Sequence, residues 1–123
     1  MKEYSFEKLD VWKLAKEFTI KLYRVTQKFP DVEKFGLVSQ LRRAAVSVSL
    51  NISEGSSRIG KKDQANFYIY AYSSSIEIIN QLIISKELGF IDNDTYTELR
   101  NDLELITTKL NRLYKSRAQH SNK

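Results

Sequence analysis

A chain of 123 residues that is 41% hydrophobic and 28% charged has room for one domain with a modest core. It has no cysteine, which excludes disulfides and thiolate metal sites, and no run of about 18 apolar residues, so no membrane-spanning helix is expected. The net charge of +5 is unevenly spread: residues 36–62 carry five Lys/Arg against one Asp/Glu, residues 63–108 two against eight, and residues 109–123 five against none. Such separation serves nucleic-acid binding or docking between subunits, and the blander alternative is a solvated basic tail on ordinary helix surfaces.

The opening MKEYSFEKLD lacks the apolar core of a signal peptide, and a cytoplasmic protein is expected. One proline and four glycines punctuate the whole chain, which predicts a few long helices. The first runs from about Lys8 to Lys28. Val11, Ala15, Phe18, Leu22, Val25 and Phe29 recur there at three- and four-residue steps. Phe6 and Leu9 pack at its entrance, Trp12 and Tyr23 read as packing residues on one flank, and Pro30 ends it.

The second helix is expected to start near Val32 or Glu33 with Asp31 as N-cap, and to end at Gly60. Its main stripe is Leu37, Leu41, Ala44, Ala45, Val48 and Ile52; the other side carries Arg43, Val46, Ser47, Leu50 and Glu54. The third helix is expected from Asp63 to Gly89. One stripe is Phe67, Ala71, Ser74, Ile78, Leu82, Ser85 and Leu88, and Ala65, Ile69, Tyr72, Ile76 and Ile83 lie opposite. Small residues at Ser73–Ser75, with Ala44 and Ala45, predict a close approach of these two helices. The fourth follows Asp92 with a single stripe of Tyr96, Leu99, Leu103, Ile106, Leu110, Leu113 and Tyr114. Lys109, Arg112, Lys115 and Arg117 fall near its negative end, where cations are favoured without any ligand.

The predicted architecture is therefore all-α: an antiparallel up-down-up-down four-helix bundle over residues 1–117, with residues 118–123 as a disordered basic tail. Helices two and three each carry a surplus apolar face. Monomers seldom expose such faces, so a homo-oligomer is expected, with Val46, Leu50, Ile69, Tyr72, Ile76 and Ile83 as interface candidates.

Catalysis is not expected. The single histidine, His120, falls in the tail, no nucleophile has a neighbouring base, and Glu-x-x-His metal motifs are absent; no cofactor or metal is implied. Glu54 and Glu77 read as buried polar groups that pair with arginine inside the bundle or across a subunit boundary, and Arg43, eleven residues before Glu54, shares its face. The nucleic-acid candidates are Arg42, Arg43, Arg58, Lys61 and Lys62, joined by Lys109, Arg112, Lys115 and Arg117. Arg43 lies beside the expected seam and suits ion pairing, which leaves Arg42 and Arg58 as the favoured ligand contacts. Tyr68, Tyr70 and Tyr72 are candidates to stack on bases, with packing the favoured role.

The stretches FEKLDVWKLA (Phe6–Ala15), FPDVEKFGLVSQLRR (Phe29–Arg43), AAVSVSLNISEG (Ala44–Gly55), Arg58, Ala71–Glu77 and LGFI (Leu88–Ile91) together resemble the 23S rRNA intervening-sequence (S23-type) proteins. The combination of FGL, QLRRAA and N-I-x-E-G carries the resemblance. Ser53 stands where alanine is common and Ser73 where glycine is common, both conservative in size. The resemblance implies a cytosolic four-helix bundle that assembles as a ring-like homopentamer. Some members are encoded within insertions in 23S rRNA genes. The family includes the accessory protein of diversity-generating retroelements, a basic pentamer that binds nucleic acid and a reverse transcriptase. No enzymatic activity is implied. Two readings follow: a homo-oligomer that binds RNA or DNA, or an adaptor for a protein partner such as a reverse transcriptase or ribosome-associated factor.

Overall fold

Four α-helices follow one another in the computed structural model, which describes residues 1–121: α1 (Asp10–Thr26), α2 (Leu37–Ser57), α3 (Lys61–Glu87) and α4 (Asn93–Ser121). Each packs against the next, and α4 closes against α1, as the up-down-up-down order requires. The core fills from one stripe of every helix, with Leu22, Leu41, Ile52, Ile78, Leu82, Leu99, Leu103 and Leu110 fully buried. Each such side chain contributes about 1.5–3 kcal/mol of transfer free energy.

The predicted stripe of α1 is the buried one: Val11, Ala15, Phe18 and Leu22 face the core. A 3-10 turn at Ser5–Lys8 precedes it, and there the Phe6 ring meets Trp12 edge-on at 4.9 Å. At the other end Thr26 donates to the Leu22 carbonyl at 2.8 Å. Pro30 then turns the chain.

The start of α2 differs from the expectation. Asp31 does not cap it; Asp31–Glu33 form their own 3-10 turn, with the Glu33 N–H on the Pro30 carbonyl at 2.9 Å and the Gly36 N–H on that of Glu33 at 3.0 Å. Gly36 then adopts φ −108° and ψ −111°, outside the helical region, so the helix cannot propagate until Leu37. The opposite end differs as well. Gly60 caps the start of α3 instead of ending α2, so Lys61 and Lys62 enter the first turn of a helix.

The buried arc of α3 is Ala65, Tyr68, Ala71, Ser75, Ile78, Leu82 and Ser85, rotated from the predicted stripe. Phe67 and Ser74 are half-buried and Leu88 is 57% exposed. A helix that is apolar nearly all round has no strong phase of its own, and packing between α2 and α4 sets it. The predicted close approach is present: Ser47 and Ser74 hydroxyls lie 3.0 Å apart. Ala45, however, turns towards α1, where its carbonyl accepts from Thr19 Oγ1 at 3.3 Å.

Gly89, at φ +79°, closes α3. The Phe90 N–H reaches the Ser85 carbonyl and the Gly89 N–H that of Lys86, both at 2.9 Å, and the Phe90 ring lies 5.5 Å from that of Phe29. These bonds satisfy the terminal carbonyls through a left-handed residue that glycine tolerates.

Asp92 caps α4, its Oδ1 accepting the Thr95 N–H at 2.7 Å. That bond, with the Thr95 hydroxyl and the Lys28 charge, holds its carboxyl below the ordinary value of 3.8. A depressed carboxylate stabilises the fold above its unfolded value and loses that contribution as pH falls through the lower folded one. Asp92→Asn keeps a competent neutral cap. Wild type should therefore lose more stability than Asp92→Asn between about pH 5 and about pH 2.5, measured by urea denaturation; parallel losses would refute the charged cap.

Helix α4 runs through Ser121, so residues 118–121 continue the helix where a tail was expected. The side chains of His120 and Ser121, and residues 122–123, lie outside the described part. Between α1 and α4, Lys21 Nζ lies 2.8 Å from Asp102 and 3.4 Å from Glu98. The Asp102 hydrogen bond foremost raises the lysine's pKa. As a part-exposed pair it adds up to about 1 kcal/mol.

Candidate nucleic-acid and subunit interfaces

Three contacts bring the candidate cations from Arg58 onward to one end of the bundle, while Arg42 and Arg43 lie in the first two turns of α2, towards the other end. Arg117 Nε donates to Gln64 Oε1 at 2.8 Å, tying the end of α4 to the start of α3. Lys109 lies 2.7 Å from Asp10, tying α4 to the start of α1. Ser5 and Ser56 hydroxyls meet at 3.1 Å, tying the N-terminal segment to the last turn of α2. The α2–α3 turn and the end of α4, far apart in sequence, thus share one surface.

The acids at that end are occupied. Glu3 pairs with Lys8 at 3.8 Å, and Glu7 accepts the Tyr4 N–H at 2.7 Å. Asp10 is taken by Lys109. Glu54 and Asp63 hold Arg58 at 3.3 and 3.8 Å. By contrast Lys61, Lys62, Arg112 and Lys115 are exposed and make no ion pair or hydrogen bond among the described residues. Arg112 and Lys115 sit near the negative end of α4, which favours them. Lys61 and Lys62 occupy the first turn of α3, the positive end, where a cation costs about 0.3–1 kcal/mol. Helix stability does not account for that pair.

The two favoured arginines are otherwise engaged. Arg42 donates to Thr26 Oγ1 at 2.9 Å and to the Tyr23 carbonyl at 3.1 Å, and its guanidinium stacks 4.5 Å over the Tyr23 ring. It fastens α2 to the end of α1, a structural role. Arg58 is spent on Glu54, Asp63 and the Phe67 ring, 4.6 Å from its guanidinium. Arg117 is bound to Gln64 and Ser116.

The reading of Glu54 and Glu77 as buried groups needs correction. Glu54 is half-exposed and pairs with Arg58 one turn on, not with Arg43. Glu77 is exposed and unpaired among the described residues, and so is Arg43. The register set by Ser47–Ser74 and by Gln40–Gln81 (3.2 Å) puts Arg43 level with Ile78, one residue from Glu77.

The candidate subunit face is partly open. Val46 is 44% and Leu50 54% exposed on α2; Ile76 and Ile83 are exposed on α3, in line with half-buried Ile69. Tyr72 is already half-buried against the core of its own subunit. Ile20 and Tyr23 of α1 join Val46 around a shallow apolar groove of about 400 Å³, completed by Thr19 and Arg24. Sequence reading missed Ile20; an isoleucine out of phase with the core stripe of α1 was its signal. Tyr68 is buried, and burial pushes its hydroxyl pKa up against the opposing charge of Arg117. Tyr70 stays exposed with its ring edge-on to Phe67 at 5.8 Å.

Among the described residues no three His, Cys, Asp or Glu side chains are grouped to hold a metal ion, and no helix is long and apolar enough to cross a membrane. A crystal structure of a protein of unknown function from the S23 ribosomal protein family of Bacteroides thetaiotaomicron VPI-5482 superposes with a TM-score of 0.77 at 21% identity, covering 85% of this chain and 98% of that one. That likeness bears on the fold alone. No curated protein matches the chain. A sequence model of the 23S rRNA-intervening sequence proteins matches residues 7–112, nearly the whole bundle. The chain belongs to the 23S rRNA-intervening sequence protein family.

Proposed function

We propose that the protein is a non-enzymatic cytoplasmic homo-oligomer, pentameric as the family resemblance implies, that binds RNA or DNA through phosphate contacts at its basic end. The observation that supports this reading is the imbalance there: the acids are engaged, while Lys61, Lys62, Arg112 and Lys115 project unpaired. Unpaired surface cations attract a polyanion and release its counterions, which gives salt-dependent, sequence-tolerant affinity.

Fluorescence anisotropy with a labelled mixed-sequence RNA duplex tests it across a potassium chloride series. Binding should weaken steeply with salt. Lys61→Glu/Lys62→Glu should lower affinity about tenfold or more and flatten the logarithmic salt slope by about 2, near 0.9 for each phosphate no longer neutralised. Arg112→Glu/Lys115→Glu should behave alike. Binding that ignores salt, or its absence at low salt, would sink the proposal. The groove at Ile20, Tyr23 and Val46 favours the adaptor reading, in which an apolar protein surface docks there. A protein partner retained by nuclease-treated protein would select it.

A further inference from the structure

The N-terminal segment places aromatic rings at the same end of the bundle as the unpaired cations. Tyr4 is 57% exposed, although it precedes the first helical turn. It is not loose: its N–H donates to Glu7 Oε2 at 2.7 Å, while the Glu7 N–H returns to the Tyr4 carbonyl at 3.1 Å. Its ring stacks on Phe6 with centroids 6.4 Å apart and planes 18° from parallel. Phe6 in turn abuts Trp12, which packs half-buried against the core. A solvent-facing tyrosine is thus rooted in the bundle through two further rings. The Ser5–Ser56 contact sets it next to the end of α2, just before the turn that carries Lys61 and Lys62.

Subunit stability does not need an exposed ring at this position. The core is complete beneath Phe6 and Trp12, and a tyrosine more than half exposed adds little to it. Lys2 Nζ lies 5.2 Å from the centre of the Tyr4 ring, and Lys16 Nζ 5.3 Å from that of Trp12. Rings carrying cations at their faces, at the same end as further unpaired cations, match the stacking platform and backbone track by which proteins hold unpaired nucleotides. A duplex hides its base faces inside the stack and engages only the cations.

We propose that Tyr4 is a stacking site for an unpaired base, so that the basic end prefers single-stranded RNA or DNA to duplex. This rests on the nucleic-acid reading above and narrows its ligand. A base entering over Tyr4 displaces the Lys2 ammonium. Giving up that exposed cation–π interaction costs roughly twofold to fivefold in affinity. Stacking one base gains roughly fivefold to a hundredfold. The exchange favours the base, and the released lysine stands within reach of the flanking phosphate.

The test compares labelled oligouridylate and oligothymidylate of about 12 nucleotides with a mixed-sequence duplex of the same length, at one salt concentration, on the full chain. Wild type should bind both single strands more tightly than the duplex. Tyr4→Ala should weaken single-strand binding about fivefold or more, leave duplex affinity and salt slope unchanged, and be rescued by Tyr4→Phe. Because Tyr4 is exposed, the variant should keep wild-type helicity and sedimentation. Equal losses on strand and duplex, no loss on either, or an altered sedimentation coefficient overturns the stacking site. Salt-dependent duplex binding that survives such a result leaves the broader nucleic-acid reading standing. No binding of any probe removes both.

Discussion

Gly55→Ala is expected to destabilise the bundle by about 1–2 kcal/mol and Gly55→Leu by about 3 kcal/mol or more. In an ordinary helix interior the first change would stabilise by up to about 1 kcal/mol, because alanine is the better helix former. At this position a Cβ would lie 2.9 Å from Tyr68 Cε1 and 3.0 Å from Phe67 Cβ. Neither neighbour can give way cheaply. The Phe67 Cβ is fixed to the backbone of α3, and the Tyr68 ring is buried with nowhere to swing. The helices must part, and the penalty at the top of the overpacking range outweighs the gain in propensity. Urea denaturation should show the midpoint fall at an unchanged slope. An alanine variant as stable as wild type would mean that α2 and α3 do not approach this closely. The packing here also bears on function, since Gly55 lies in the last turn of α2, just before Arg58 and Lys61.

Much of the fold was legible because three helices carry strong phases. The stripe Val11, Ala15, Phe18, Leu22 on α1 and Leu99, Leu103, Ile106, Leu110 on α4 both fall in the core. Helix α3 was harder. With isoleucines, alanines and tyrosines on every side, its buried face is fixed by two neighbouring helices, and periodicity cannot decide it. The start of α2 failed for a local reason: Asp31 offered a plausible cap, but the 3-10 turn and the backbone of Gly36 intervene. At the site, sequence named Lys61, Lys62, Arg112 and Lys115 among its candidate cations but could not sort them from the others, and it passed over Lys2 and Lys16. Arg42 is consumed by Thr26 and Tyr23, sixteen or more residues earlier in the chain. Lys61 and Lys62 remain free because the nearby acids are matched elsewhere. The contacts of Arg42 and the Lys109–Asp10 pair are long-range and leave no trace in spacing, whereas Glu54 and Arg58 are an i,i+4 pair that spacing does show. The ladder from Tyr4 to Trp12 was visible only in part, with Phe6 read as packing and Tyr4 passed over.

The double substitution Val46→Glu/Leu50→Glu is expected to convert the proposed homo-oligomer into a folded single subunit. Both side chains are about half exposed within the subunit, so their charges stay hydrated there and the far-UV circular dichroism should not change. In an assembly that buries this face, each carboxylate would be desolvated without a partner, at a cost of several kcal/mol per ion. Val46 also borders the groove with Ile20 and Tyr23, so the new charge would fall against that apolar surface. Sedimentation velocity at micromolar concentration should show the mass of one chain. Retention of the wild-type mass would move the seam to the α3 line of Ile69, Ile76 and Ile83. Arg43 and Glu77 refine the test, because both are exposed, unpaired and at nearly the same height on neighbouring helices. If they meet across the seam, Arg43→Glu alone should weaken assembly, and Arg43→Glu/Glu77→Arg should restore much of it. Two equally damaged variants would mean that Arg43 and Glu77 do not pair with each other across the seam, and two undamaged ones would place the charges outside it, with the apolar residues alone holding the subunits together.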